Sequence, residues 1–417
     1  MPTICLNMIV KNESQIIEQT LTNLCNKIKF DYWVICDTGS TDNTVDIINK
    51  FFEKENIPGK LYIEEWVDFA HNRTRALEYA FEKTDLLLVF DADDGFEGTF
   101  TLPKTVDVDG YYIKINLNEN LYDRIALINN RVKWYYKSVL HEYIACDFTP
   151  KIVFLKTNGF IKAGCSGSRS SDPQKYLKDA ILLENAYKKA KEIDDKLYER
   201  YSFYCANSNR DANQPDKAVD WYRTVLTQNN WEQEKYISCI EIYRCYSKLN
   251  TPELGLNYLV ESYKYDNERI EGIFELIKYY CCADSFTIAM GYYKFIQEFY
   301  EDKFPSLDYA TVNKLFINSP MYNFFLPYYM IIVADRINDR KLGIKMYEIV
   351  FSKKPKIFIE VFLTHFINNF QFFVQHIKRK SYTFKLANDY LKFLVENNVQ
   401  LDKFPILTTY KKYGIKF

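Results

Sequence analysis

"LLLVFDADDGF", residues 86–96, runs an unbroken apolar stretch into three carboxylates, Asp91, Asp93 and Asp94. Leu86–Phe90 reads as a buried strand, because a short continuous apolar run bounded by polar residues suits a strand inside a sheet. Carboxylates crowded into four positions repel one another, and one pKa rises sharply unless a cation sits among them. The stretch therefore marks a strand end built for chemistry.

Upstream, strands and helices alternate. "TICLNMIV" (3–10) reads as a buried strand and "SQIIEQTLTNLC" (14–25) as an amphipathic helix opening at Ser14. "YWVIC" (32–36) is the next strand, followed by the turn "DTGSTDNT" (37–44) and the helix "VDIINKFFEKEN" (45–56). "LYIEE" (61–65) and "AHNRTRALEYAFEK" (70–83) continue the alternation. This order implies a parallel sheet with helices on its faces, in which ligands bind beyond the carboxyl ends of the strands. Three polar clusters fall on that edge: "KNES" (11–14), "DTGSTD" (37–42) and "DADD" (91–94).

From 110 to 162 the texture becomes strand-like and includes "VKWYYKSVLHEYIA" (132–145), expected to complete the sheet with some antiparallel strands. After "CSGSRSSDP" (165–173) the chain reads as helices. Pairs begin near Lys196, Glu232 and Glu268, and their second helices near Pro215, Pro252 and Phe286. Each second helix sets a small residue before an aromatic: Ala218 with Trp221 and Tyr222, Gly255 with Tyr258, Ala289 with Tyr292 and Tyr293, and Gly343 with Tyr347 further on. A period near 36 follows the logic of tetratricopeptide-like arrays, whose repeat is ~34 residues. The expected organisation is an α/β domain over 1–168 and a helical domain over 169–417, regular across about 196–301 and irregular after 302.

Composition narrows the function. A chain of 417 residues with net charge −1 and no long basic block does not suit nucleic acid as primary partner. Ten cysteines without a C-x-x-C pair suit a reducing compartment rather than a disulfide framework or zinc site. The first residues lack a signal-peptide pattern, and "IFIEVFLTHFINNFQFFV" (357–374) is too often interrupted by polar residues for a transmembrane segment. Sequons at Asn12 and Asn72 fall beside the expected site, where a glycan would obstruct it. A cytoplasmic location is the expectation.

The acidic cluster fails as an EF-hand loop, since Gly95 and Phe96 stand at its fifth and sixth positions. It also lacks the Thr of a phosphate-transferring D-x-D-x-T. A solvated turn is one option. A site for Mg²⁺ or Mn²⁺ shared with a diphosphate fits best, because these ions take one or two carboxylates and complete their shell with phosphate and water.

The ordered set "ICLNMIVKNES", "VICDTGSTDNT", "WVDFAHNRTRALEYAF", "LLLVFDADD" and "VLHEYI" resembles the family 2 glycosyltransferases of GT-A fold, in the subgroup with C-terminal tetratricopeptide-like helices. The resemblance continues to about residue 237 and implies a nucleotide-sugar donor, a UDP-sugar foremost, with inversion at the anomeric carbon. It also implies that Asp37 contacts base or ribose, that Asp91 touches ribose or the metal shell, and that Asp93 ligates the metal. Asp94 stands where many relatives carry Glu. Asn12 and Glu13 match the loop beside the nucleotide. Asn72 and Arg73 match donor contacts, although "AHNR" departs from the usual "aRN".

The chemistry agrees with that resemblance. Negative charge grows on the departing diphosphate, which a divalent ion stabilises, and a base must take the acceptor's proton. Glu142 is the expected base and His141 a metal or diphosphate contact, with the reverse assignment open. Arg169 is a candidate clamp on the diphosphate. "WYY" (134–136) offers a sugar-stacking wall or plain core residues. The rival reading is an inactive GT-A domain on a helical scaffold that binds protein; a nucleotidyltransferase would want a basic phosphate loop that is not seen.

Overall fold

The computed structural model describes residues 1–117, 120–164, 172–303, 314–378 and 381–415. They fall into two compact units, one holding Met1–Asn250 with a short later segment ending at Ile317, the other holding the remaining residues from Thr251 on.

In the first unit the expected alternation forms. It gives β1 (Ile4–Val10), α1 (Ile17–Cys25), β2 (Tyr32–Asp37), α2 (Thr44–Lys54), β3 (Gly59–Ile63), α3 (Phe69–Ala80) and β4 (Leu86–Val89). Then come β5 (Gly95–Glu97), β6 (Gly110–Leu117), β7 (Asn120–Asn129), β8 (Tyr135–Lys137), β9 (Tyr143–Ala145), β10 (Ile152–Phe154) and β11 (Phe160–Lys162). The sheet runs β3-β2-β1-β4-β7-β6-β11-β5, with β10 beside β6. β1 to β4 are parallel; β7 runs antiparallel to both β4 and β6.

Period-two alternation divides the central strands between two faces. Leu6, Met8, Ile35, Leu86 and Leu88 pack with Ile17, Leu21 and Leu24 of α1 on one face. Cys5, Val34, Leu87 and Val89 pack with Leu77 and Ala80 of α3 on the other. The chain leaves β1 toward β2 and β3, then returns to β4 on the opposite side of β1. That reversal opens a crevice at the carboxyl ends, where all three polar clusters emerge.

Residues 132–145 depart from expectation. They do not complete the sheet; β8 and β9 pair with each other as a separate antiparallel ribbon. Ser138 at φ +84° and His141 at φ +54° break the extended run between them. The Tyr136 amide donates to Thr74 Oγ1 at 2.9 Å, tying the ribbon to α3.

The helical part keeps the expected spacing. α4 (Lys175–Glu192), α5 (Leu197–Asp211), α6 (Pro215–Thr227) and α7 (Glu232–Lys248) belong to the first unit. The second unit contains α8 (Leu256–Tyr265), α9 (Glu271–Cys282), α10 (Phe286–Glu298), α11 (Leu326–Arg336) and α12 (Arg340–Lys353), with further helices between 360 and 411. Ala218 with Tyr222, and Ala289 with Tyr293, are buried as the small-plus-aromatic pattern requires. The Gly255 pair differs. Pro252–Gly255 form a 3-10 turn, α8 begins one residue later, and Leu259 takes the buried place expected for Tyr258. No helix among the described residues is long and apolar enough to cross a membrane.

Two helical glycines give opposite tests of this packing. A Cβ on Gly343 would lie 1.9 Å from the Phe373 ring, whereas one on Gly291 meets nothing within 4 Å. Gly291→Ala should raise stability by about 0.5–1 kcal/mol through helix propensity, and Gly343→Ala should lower it. Denaturant unfolding of both variants checks the pair; equal shifts would contradict the close approach at Gly343.

Candidate active site

The first two clusters form one surface. Asn12, at φ +56°, accepts from the Thr41 amide through Oδ1 at 2.7 Å, and its own amide donates to Ser40 Oγ at 2.8 Å. The Glu13 amide donates to Thr44 Oγ1 at 2.8 Å, so the loop after β1 is laced to the loop after β2. Asp37, at the end of β2, takes the Gly39 and Ser40 amides on Oδ2 at 3.0 and 2.9 Å. Its Oδ1 is buried without a hydrogen-bond partner. Such deficits call for an explanation, and a ligand group is one.

The third cluster is built around Asp91. Its Oδ1 meets Arg73 Nη2 at 2.5 Å and its Oδ2 meets Arg124 Nη1 at 2.7 Å. Arg73 reaches on to Glu142, Nε to Oε1, at 2.6 Å. One guanidinium on α3 thus joins the carboxylate after β4 to the carboxylate before β9. The ring of Tyr136 on β8 lies 5.7 Å from the Arg73 guanidinium carbon. Burial disfavours the Asp91 charge, but the two arginines more than offset it and hold the carboxyl well below its usual range. Burial likewise opposes the Arg73 charge, yet Asp91 and Glu142 raise its pKa well above the ordinary arginine value.

Asp94 behaves in the opposite way. Burial, then the neighbouring Asp91 charge, push its pKa up to about 7, against the pull of Arg124 at 3.3 Å and the Gly164 amide. That amide donates to Asp94 Oδ1 at 3.0 Å. Gly164 is required by proximity, because a Cβ there would sit 1.7 Å from the Asp93 carbonyl oxygen.

Not every expected residue reaches this cluster. Asn72 is fully buried, and its amide accepts from Val67 N at 3.0 Å and donates to Glu65 O at 2.9 Å. Both bonds go to the backbone of the segment that leads into α3. His141 is exposed and stacks on Tyr204, so Asp91, Asp93 and His141 do not gather as three ligands. Among the described residues no three His, Cys, Asp or Glu side chains form a metal-binding group. Arg169 lies outside the described residues. Trp134 of "WYY" is core, its Nε1 donating to Asn129 O at 3.1 Å.

The sequence model for glycosyl transferase family 2 matches residues 5–108. The match spans about a quarter of the chain. No curated protein matches the chain. The solved structures it resembles include the mannosyltransferase of Pyrobaculum calidifontis in complex with GDP-Man and Mn²⁺, at 13% identity over 63% of this chain and 87% of that one, TM-score 0.31. They include S. aureus TarS 1–349 with UDP-GlcNAc, at 12% identity over 64% of this chain and 92% of that one, TM-score 0.31. They also include Mycobacterium tuberculosis glucosyl-3-phosphoglycerate synthase with Mn²⁺, UDP and glucosyl-3-phosphoglycerate, at 17% identity, TM-score 0.19. There the match covers 22% of this chain and 34% of that one, about a third of the relative.

The family 2 segment holds Asn12, Glu13, Asp37, Asn72, Arg73, Asp91 and Asp93. Arg124, Glu142 and Gly164 come after it, yet the fold brings Arg124 and Glu142 onto the Arg73–Asp91 pair and Gly164 against the acidic turn. Sequence reasoning missed Arg124 and Gly164. An arginine inside the alternating strand "YDRIALINN" was the one available signal. The described residues thus form an α/β sheet followed by a helical region, as expected.

Asp123, beside Arg124, gives a pH test of the sheet. Both of its oxygens are buried without a partner, and burial raises its pKa to about 6 against the pull of Lys114. A folded pKa above the unfolded value of ~3.9 means that folding takes up a proton. The stabilising contribution is complete below pH ~3.9 and is lost as pH rises through about 6. Asp123→Asn should therefore raise Tm relative to wild type at pH 8, with the gain fading toward pH 4. A gain constant across that range would refute the assignment.

Proposed function

We propose that the protein transfers a glycosyl group, with inversion, from a nucleoside-diphosphate sugar to an acceptor hydroxyl, and that it does so as a cytoplasmic, divalent-metal-dependent enzyme. The observation that carries this reading is the shared Arg73 guanidinium, which holds Asp91 and Glu142 in one hydrogen-bonded chain at the carboxyl edge of the sheet. A donor-side carboxylate and a base candidate within reach of one another are what an inverting displacement needs.

The residues present suit an ion held jointly with the diphosphate, not an all-protein cage. Asp91 has both oxygens committed to arginines, and no three-ligand group occurs among the described residues. Asp93 would be the direct protein ligand, which is enough for Mg²⁺ or Mn²⁺ when phosphate and water supply the rest. When bound, the ion supplies Lewis-acid stabilisation of the leaving diphosphate. Asp37 would receive a base or ribose donor on its unpaired Oδ1. The N3–H of uracil and the N1–H of guanine both suit that acceptor, and a UDP-sugar is the donor we propose first. Glu142 would take the acceptor's proton, with Arg73 fixing the orientation of its carboxylate.

Thermal shift with UDP- and GDP-sugars, with and without Mn²⁺, identifies the donor, since a ligand that binds the folded state alone raises Tm. With that donor, Asp93→Ala should abolish metal-dependent binding and turnover. Glu142→Gln should keep donor affinity and lower kcat by roughly 10²-fold or more. Normal turnover in Asp93→Ala would sink the metal assignment. A fall in affinity at unchanged kcat for Glu142→Gln would move Glu142 from base to binding residue.

A further inference from the structure

The loop that carries His141 and Glu142 is held from outside the sheet. Ser138 and His141 both adopt left-handed backbone, at φ +84° and +54°, which side chains disfavour unless their surroundings impose it. Those surroundings come from α4 and α5. Leu140 is buried in a cluster with Leu183, Tyr187, Tyr201 and Cys205. The Val139 amide points to Tyr201 Oη at 3.4 Å. Arg200 forks onto the His141 carbonyl, through Nε at 3.1 Å and Nη2 at 2.8 Å. The same guanidinium lies over Tyr143 at 5.1 Å and over Tyr204 at 4.8 Å. The His141 imidazole stacks on the Tyr204 ring, centroids 4.0 Å apart and planes 14° from parallel. The residue before Glu142 is therefore gripped at its backbone and at its ring by a single helical turn, Arg200 to Tyr204.

We infer that Arg200 and Tyr204 are positioning residues of the reaction: α5 sets the backbone from which Glu142 reaches Arg73 and, through it, Asp91. The inference rests on the glycosyl-transfer reading above and extends the catalytic unit into the helical region. Their hydrogen bonds and stacking go to His141, and the Tyr204 hydroxyl also feels the Glu142 charge. Their effect passes through the His141 peptide, whose rotation would swing the Glu142 side chain away from Arg73. A displacement of about 1 Å at a reacting group can cost on the order of 10²-fold in rate.

The test uses the full chain and the donor found by thermal shift. Arg200→Lys keeps a cation but loses the fork, Tyr204→Leu loses the stacking ring, and Tyr204→Phe keeps it. The expected result is a kcat lower by roughly 10-fold or more in the first two, an unchanged donor KM, and near-normal kcat in Tyr204→Phe. The imidazole proton signals of one of the four histidines, shifted by the Tyr204 ring current, should move in Tyr204→Leu and stay in Tyr204→Phe. Should Tyr204→Leu fail to fold, Arg200→Lys and Tyr204→Phe still carry the comparison. Full kcat in Arg200→Lys, or equal loss in Tyr204→Phe and Tyr204→Leu, overturns the inference alone. A KM that rises while kcat holds also overturns it, since it makes these residues part of the binding surface. A wild-type chain that cleaves no nucleotide sugar overturns the function reading and this inference together.

Discussion

Charge brought out of water must be compensated where it lies, and the Arg73–Asp91 contact is where this molecule meets that demand. Asp91, Arg73 and Glu142 keep side-chain exposures of 23, 12 and 13%. At such burial an ion left alone would cost several kcal/mol. Four elements supply the compensation: α3 provides Arg73, β7 provides Arg124, the turn after β4 provides Asp91, and the loop before β9 provides Glu142. None of these elements can shift without uncovering a charge. The antiparallel insertion of β7 beside β4 thus has an electrostatic as well as a packing consequence, since it aims Arg124 at both Asp91 and Asp94.

The same network sorts two neighbouring carboxyl groups into different states. Asp91 is held ionised by two cations, while Asp94 is pushed toward neutrality by burial and by Asp91 itself. The repulsion expected from "DADD" is therefore relieved in two ways, by recruited cations and by a raised pKa.

The first four strands were legible because their signals are local. Continuous apolar runs, turn residues and helical periodicity each depend on a few neighbours. The three polar clusters followed from topology, since every parallel strand delivers its carboxyl end to the same edge. Less legible was whatever depends on distant contacts. Asn72 looks like a ligand contact in sequence, but its amide is consumed by the backbone at Glu65 and Val67. "VLHEYI" reads as a strand, yet left-handed Ser138 and His141 turn it into a loop whose shape derives from α5, some sixty residues later. In the helices the small-plus-aromatic spacing was readable, except where Pro252 and its 3-10 turn displaced the register.

Gly164 lends the fold a consequence for inheritance. The acidic turn lies within residues 5–108, the segment that the family model matches, but the glycine that makes room for the Asp93 carbonyl lies seventy residues downstream of Asp94. Recombination that exchanged only the family segment would import the carboxylates and leave their fit to chance. A larger residue at position 164 in the recipient would close the space, and a missing arginine at 124 would leave Asp91 undercompensated. The segment recognisable in sequence and the segment that must travel together are different lengths of chain.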